Sequence, residues 1–148
     1  MIHLVVADAS HTDAITQLVA ALFSEVEHWL DEAAIAEFVE RAEADDRHST
    51  LLAFDDDGDA VGVLTIVETL SLSAGGYMGV LNELYVVPPY RSEGVGSILL
   101  DAAKRLGEQR GWARLEVTTP GDEYAKTLHF YEREGFSKIG PRYRFIFS

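Results

Sequence analysis

Leu81-Asn82-Glu83-Leu84-Tyr85-Val86-Val87-Pro88-Pro89-Tyr90, followed by Arg91-Ser92-Glu93-Gly94-Val95-Gly96 and a run to about Gln109, decides how this chain folds. Asn82 to Val87 is rich in β-branched and aromatic residues and reads as a buried strand. Pro88-Pro89 halts it, because proline has no N–H to give to a ladder. After the turn, Val95, Ile98, Leu99, Ala102, Ala103 and Leu106 recur at the spacing of one helix face, the stripe of a core-facing helix. A glycine-spaced turn that opens such a helix presents unpaired backbone N–H groups and the positive end of the helix dipole. The expected ligand of Arg91, Ser92, Glu93, Gly94, Val95 and Gly96 is therefore a phosphate or pyrophosphate, with Arg91 at the lip.

Two common phosphate carriers do not fit. A dinucleotide fingerprint needs a third glycine where Leu99 stands, and the chain has no Gly-Lys-Ser/Thr triplet for a P-loop. Arg-x-x-Gly-x-Gly after a strand ending Tyr-Val-Val-Pro-Pro-Tyr instead resembles the acetyl-CoA-binding motif of the GNAT superfamily of N-acetyltransferases. The alternative is a glycine-rich turn that serves packing alone. A second segment, Leu128-His129-Phe130-Tyr131-Glu132-Arg133-Glu134-Gly135-Phe136, is similar to the family's Phe-Tyr-x-x-x-Gly-Phe signature. The resemblance covers about Leu81 to Phe136 by motif and the N-terminal half by pattern.

That resemblance implies acetyl-CoA as co-substrate and no metal. It implies pantetheine contacts along the backbone of Leu84, Tyr85 and Val86, and it places Tyr131 near the thioester sulfur. The family commonly has Asn and Ala seven and four residues before this tyrosine. Here they are Tyr124 and Thr127, so the side-chain amide that contacts the pantetheine arm is replaced.

The order of elements agrees. Ile2 to Ala7 reads as a strand, and Thr12 to Phe23 as a helix with Ser10 or Thr12 as its cap. Asp31 precedes a second helix with Ala34, Ile35, Phe38 and Val39 on one face. Thr50 to Phe54 and Ala60 to Leu70 flank Asp55-Asp56-Asp57-Gly58-Asp59, a hairpin loop. The five-residue acidic run lacks the spacing and closing Glu of a calcium loop. Met78 to Val87, the helix after Gly96, Arg114 to Thr119, a helix bearing Tyr131, and an alternating strand over Arg142 to Phe147 complete β-α-α-β-β-β-α-β-α-β. The expected fold is α/β, a mixed, mostly antiparallel sheet with helices on both faces, in a single domain over residues 1–148.

Composition bounds the function. There is no cysteine, which excludes disulfides, thiolate metal sites and a cysteine nucleophile. No apolar run has the length of a membrane span, and the first basic residue is Arg41, so the expected location is cytoplasmic. Residues 1–60 carry 15 Asp/Glu against 2 Lys/Arg, giving −13, whereas residues 61–148 carry 10 against 10. An acidic field over the first two helices attracts a cationic acceptor and repels nucleic acid. The alternative is a solvated acidic surface kept for solubility.

Acetyl transfer to an amine needs a neutral attacking amine, a stabilised oxyanion and a proton for the departing thiolate. Tyr131 is the candidate donor to sulfur, or else a packed aromatic like Phe130. The resemblance points to Glu83, in or next to a position where the family often has an acid, and to Glu116, on the strand where some members place their base; a carboxylate inside an apolar strand is in any case unusual, because burial without a partner is costly. Each is a candidate base or amine-orienting group, and each has the alternative of a salt-bridged glutamate, with Arg114 near Glu116. Phe23, Glu27 and Trp29 suit an aromatic, acidic acceptor loop, the alternative being ordinary core contacts between the first two helices, and Asn82 stands beside Glu83. Two functions follow: an N-acetyltransferase for a primary amine, or a GNAT-like module that binds acyl-CoA without chemistry. A homodimer is compatible with the resemblance.

Overall fold

The computed structural model describes residues 1–26, 30–119 and 125–147. Its elements are β1 (His3–Val6), a 3-10 turn (Ala9–His11), α1 (Thr12–Glu25), α2 (Glu32–Glu43), β2 (His48–Phe54), β3 (Ala60–Ser71), β4 (Gly76–Val86), a second 3-10 turn (Pro88–Tyr90), α3 (Val95–Arg110), β5 (Leu115–Val117) and α4 (Ala125–Arg133). They fall into two compact units, residues 1–116 and 117–148.

The sheet runs β1-β2-β3-β4-β5, and its first four strands pair antiparallel in chain order. Hairpins make that order: Asp55 N donates to Asp59 O at 3.0 Å, and Gly58 takes φ +84° at the tip. The crossover through α3 then returns the chain to the β4 edge. There Ala113 N meets Tyr77 O at 2.8 Å and Gly79 N meets Arg114 O at 3.1 Å.

Each face of the sheet has its own core. Leu52, Val63 and Tyr85, direct partners on β2, β3 and β4, lie buried against Ile15, Leu18 and Val19 of α1 and Ile35 and Val39 of α2. On the opposite face the α3 stripe read from the sequence is buried at Val95, Leu99 and Ala103. Packing there is close. A Cβ added at Gly62 would lie 3.0 Å from Leu99 and 3.1 Å from Val95, and one at Gly79 would lie 2.4 Å from the Trp112 ring. Burial of such rows is the main force holding helices to sheet. The architecture is the expected α/β sheet with helices on both faces.

Two expectations need correction. Neither Ser10 nor Thr12 caps α1. Asp8 caps the preceding 3-10 turn through Ser10 N at 2.9 Å, and the helix continues from that turn. Asp31 does cap α2, accepting from Ala34 N at 2.7 Å. In the second unit α4 ends with Gly135 at φ +95° and Phe136 N donating to Tyr131 O at 2.9 Å, the left-handed closure expected of glycine past a helix. Residues 142–147, expected as a strand, form none. Tyr143, Phe145 and Phe147 are exposed. Alternation makes a strand only where a neighbouring edge takes up its N–H and C=O groups.

Candidate active site

The turn after β4 has the geometry of an anion cradle. Gly94, at φ +85°, is the residue before α3, and no side chain caps the helix. Ser92 also takes a positive φ, +66°, a conformation costly for a residue with a Cβ and characteristic of functional turns. A Cβ added at Gly94 would meet nothing within 4 Å, so space for a ligand lies directly over the backbone. Ser92, Glu93 and Gly94 are exposed and Gly96 is half-buried, while the Val95 side chain belongs to the core. The amides of the first helical turn, together with the dipole, supply the attraction for phosphate.

Arg91 does not stand at the lip as a free cation. Its Nη2 donates to both oxygens of Glu25 at 2.9 and 2.8 Å, and its Nε donates to Val86 O at 2.9 Å. The guanidinium also lies over the Tyr85 ring, 5.3 Å from its centre. The motif arginine thus joins the end of α1 to the end of β4. The partner is 66 residues away, which no local motif can announce.

Glu83 owes its position to an irregularity in β4. Thr65 pairs with Glu83 and Ile66 with Leu81, so Asn82 is an extra, unpaired residue, a β-bulge. In an unbroken strand Glu83 would share a face with Leu81 and Gly79, beneath α3. The bulge shifts the alternation, so Glu83 and Tyr85 face α1 and α2 instead. It also frees the Glu83 N–H, which donates to Thr65 Oγ1 at 3.0 Å while the Thr65 hydroxyl donates to Glu83 Oε1 at 2.5 Å. One carboxylate oxygen is thereby fixed.

Thr50, Thr65 and Glu83 are direct partners on three adjacent strands, forming a polar row next to the apolar row Leu52–Val63–Tyr85. This row lines a cavity of about 280 Å³ whose walls include Ile15, Val19, Phe23 and Phe38. Glu43 and His48 also line it. Sequence reasoning missed Thr65 and Thr50. Thr65 had a signal, a single hydroxyl within the apolar run Val61 to Val67, whereas Thr50 follows His48 and Ser49 and has none; both are buried, at 4% and 1% exposure.

The other expected residues divide. Phe23 lines the cavity. Asn82 is the exposed bulge residue and does not line it. Glu27, Trp29 and Tyr124 lie outside the described residues. Glu116 lies 3.6 Å from Arg114, the pairing foreseen as its alternative. In the second unit Tyr131 is buried, in edge contact with Phe130 and Phe136 at 5.2 and 5.6 Å between ring centres. Burial pushes its hydroxyl up to about 12, so it remains a proton donor at neutral pH. Thr127, one turn earlier, shares its helix face. Among the described residues no group of three or more His, Asp or Glu is placed to hold a metal, and no helix is long and apolar enough to cross a membrane.

Comparison with known proteins agrees with this geometry. The model of the Acetyltransferase (GNAT) family matches residues 12–136. A Bacillus subtilis protein named "Uncharacterized N-acetyltransferase YhfO" is 28% identical over 123 residues, covering 81% of this chain and 82% of that protein. The aminoalkylphosphonate N-acetyltransferase of Salmonella typhimurium is 30% identical over 58% of this chain and 55% of its own length. Streptothricin acetyltransferase of Streptomyces lavendulae is 32% identical over 67% of this chain and 50% of its own length. The chain thus spans about half the length of the latter two. Among solved structures, the aminoglycoside N-acetyltransferase AAC(6')-Iy in complex with CoA superposes with a TM-score of 0.83 at 20% identity, covering 100% of this chain and 93% of that one.

Proposed function

The chain belongs to the acetyltransferase (GNAT) family, and on that premise we propose that it moves the acetyl group of acetyl-CoA to a primary amine of a cationic acceptor. The two units act as one domain over residues 1–148; the family match crosses both. The proposed mechanism is direct attack in a ternary complex; with no cysteine in the chain, an acyl-cysteine intermediate is excluded. The pyrophosphate of acetyl-CoA rests on the backbone from Ser92 to Gly96, and its pantetheine arm runs beside Leu84, Tyr85 and Val86. Gly94's open side supports that fit. Arg91 contributes by holding the turn against β4 and α1.

The observation that carries the reading is the reciprocal Thr65–Glu83 clamp at the wall of the cavity beneath α1 and α2. A carboxylate fixed through one oxygen orients an ammonium with the other and takes its proton before attack, so that the neutral amine reaches the thioester carbonyl. The amide forms as the C–S bond breaks, and the departing thiolate takes a proton from the Tyr131 hydroxyl. Glu116, tied to Arg114, is the weaker candidate for proton transfer. The names of two similar proteins, for aminoalkylphosphonate and aminoglycoside acceptors, support an amine as the group acetylated. The acidic N-terminal region supports a cationic acceptor and disfavours nucleic acid.

The replacement of Asn and Ala by Tyr124 and Thr127 favours a second reading, an acyl-CoA-binding module without chemistry. Thiol release from acetyl-CoA with a panel of primary amines separates the two. Wild type should release thiol, and Tyr131→Phe should lower turnover roughly 10²–10⁴-fold with little change in acetyl-CoA affinity. Binding of acetyl-CoA with no thiol release for any amine would establish the second reading.

A further inference from the structure

The cavity contains more polar chemistry than transfer at Glu83 uses. Glu43 Oε1, His48 Nδ1 and Thr50 Oγ1 are each buried and have no hydrogen-bond partner among the described residues, and all three residues line this cavity. Thr50 is 1% exposed. A buried polar atom without a partner is unfavourable, and natural cores rarely leave several together unless something satisfies them. They do not belong to the Thr65–Glu83 clamp. Thr50 stands two strands from Glu83, roughly 10 Å at the ordinary strand spacing, and His48 lies two residues further along β2 on the same face.

We propose that Glu43, His48 and Thr50 form a second recognition point for the acceptor, and that the preferred acceptor is an aliphatic α,ω-diamine, with one amine at Glu83 for transfer and the other held as an ammonium at Glu43. This rests on the transferase reading above and names its substrate class. Three observations select the diamine. Glu43 ends α2, where the carbonyls of the last turn add negative charge and favour a cation over a neutral hydroxyl. Between the polar ends the walls are hydrocarbon, from Ile15, Val19, Phe38 and Val39, which suits a methylene chain. At about 280 Å³ the cavity lies at the lower limit of small-molecule sites, roughly 300 Å³, so it takes a slim chain rather than a linked-ring sugar or a folded peptide. Thr50 Oγ1 and His48 Nδ1 accept the remaining hydrogen bonds of the second ammonium.

The test is acetylation of unbranched diamines from three to eight carbons against monoamines of equal carbon number, with wild type and Glu43→Gln. Wild type should show an optimum at one chain length and prefer that diamine about tenfold or more in kcat/KM, the scale of one buried charge-assisted hydrogen bond. Glu43→Gln should reduce that preference ratio about tenfold. Equal rates for diamine and monoamine, or an unchanged ratio in the variant, would overturn the assignment. Calorimetry of the best-fitting diamine without acetyl-CoA reads the cavity apart from chemistry. If no amine is acetylated, the transferase reading fails; tenfold weaker diamine binding by Glu43→Gln would still uphold the site. Undetectable binding, or binding the variant does not weaken, would refute it.

Discussion

The two faces of one sheet have been filled by opposite rules. Beneath α3 an added carbon would clash at Gly79 and crowd its neighbours at Gly62, and the buried residues are apolar apart from Ser49, whose hydroxyl accepts from Arg110. Beneath α1 and α2 the same strands carry a polar row, a cavity and, at Thr50, a buried hydroxyl without a partner among the described residues. Close packing fixes position, because interiors at crystal-like density yield little. Open, polar space can receive a molecule but contributes less to stability. The difference teaches that α3 and its face hold the frame, while the other face pays in stability for a place to bind.

Four measurements break or sharpen that contrast. Glu83→Gln should lower kcat/KM for the amine roughly 10²-fold, the lower range of proton-transfer assistance, while acetyl-CoA affinity stays within about twofold of wild type. A comparable loss for both substrates would mean that Glu83 supports structure. Gly79→Ala should cost roughly 1–3 kcal/mol in urea denaturation, because the Trp112 ring must move, and Trp112→Leu in the same chain should return part of that loss. A fully stable Gly79→Ala would show that the α3 face is not close-packed.

On the open face the sign should reverse. Thr50→Val keeps the shape and removes an unpartnered hydroxyl, so stability should be unchanged or higher by up to about 1 kcal/mol. A loss above that would reveal a partner for the hydroxyl. The smallest effect is that of salt. Apparent KM for the amine should rise as the screening length falls from ~30 Å at 0.01 M to ~10 Å at 0.1 M, and that for acetyl-CoA should rise less. Salt-independent kinetics would return the acidic N-terminal region to a solvated surface.

Much of the frame was legible because it is local. Val95, Leu99 and Ala103 repeat at helix spacing, Asp31 precedes a helix it caps, and Asp55 to Asp59 contains the glycine a hairpin tip needs. The candidate site could be read from sequence only where a motif ran along the chain, as at Gly94 and Tyr131. What stayed hidden depends on partners distant in sequence. Nothing beside Arg91 foretells Glu25, and nothing within β4 shows that Asn82 lacks a partner, since register belongs to the pair of strands. Thr50, Thr65 and Glu83 come into line only when three strands are in register. The last segment errs in the other direction: Tyr143, Phe145 and Phe147 alternate faultlessly, but periodicity states a preference and not an available edge.

The unpaired residue of β4 has one more consequence. Because Thr65 and Glu83 pair on one side of Asn82 and Ile66 and Leu81 on the other, Asn82 is spare length, present in the chain yet absent from the ladder. Its deletion would let every remaining pair keep its register, and the Glu83 N–H would return to the backbone of β3. The frame should survive such a shortening while the clamp comes apart. In this strand the Thr65–Glu83 arrangement is held by an added residue rather than by a chosen side chain, so a search by substitution alone would never find it.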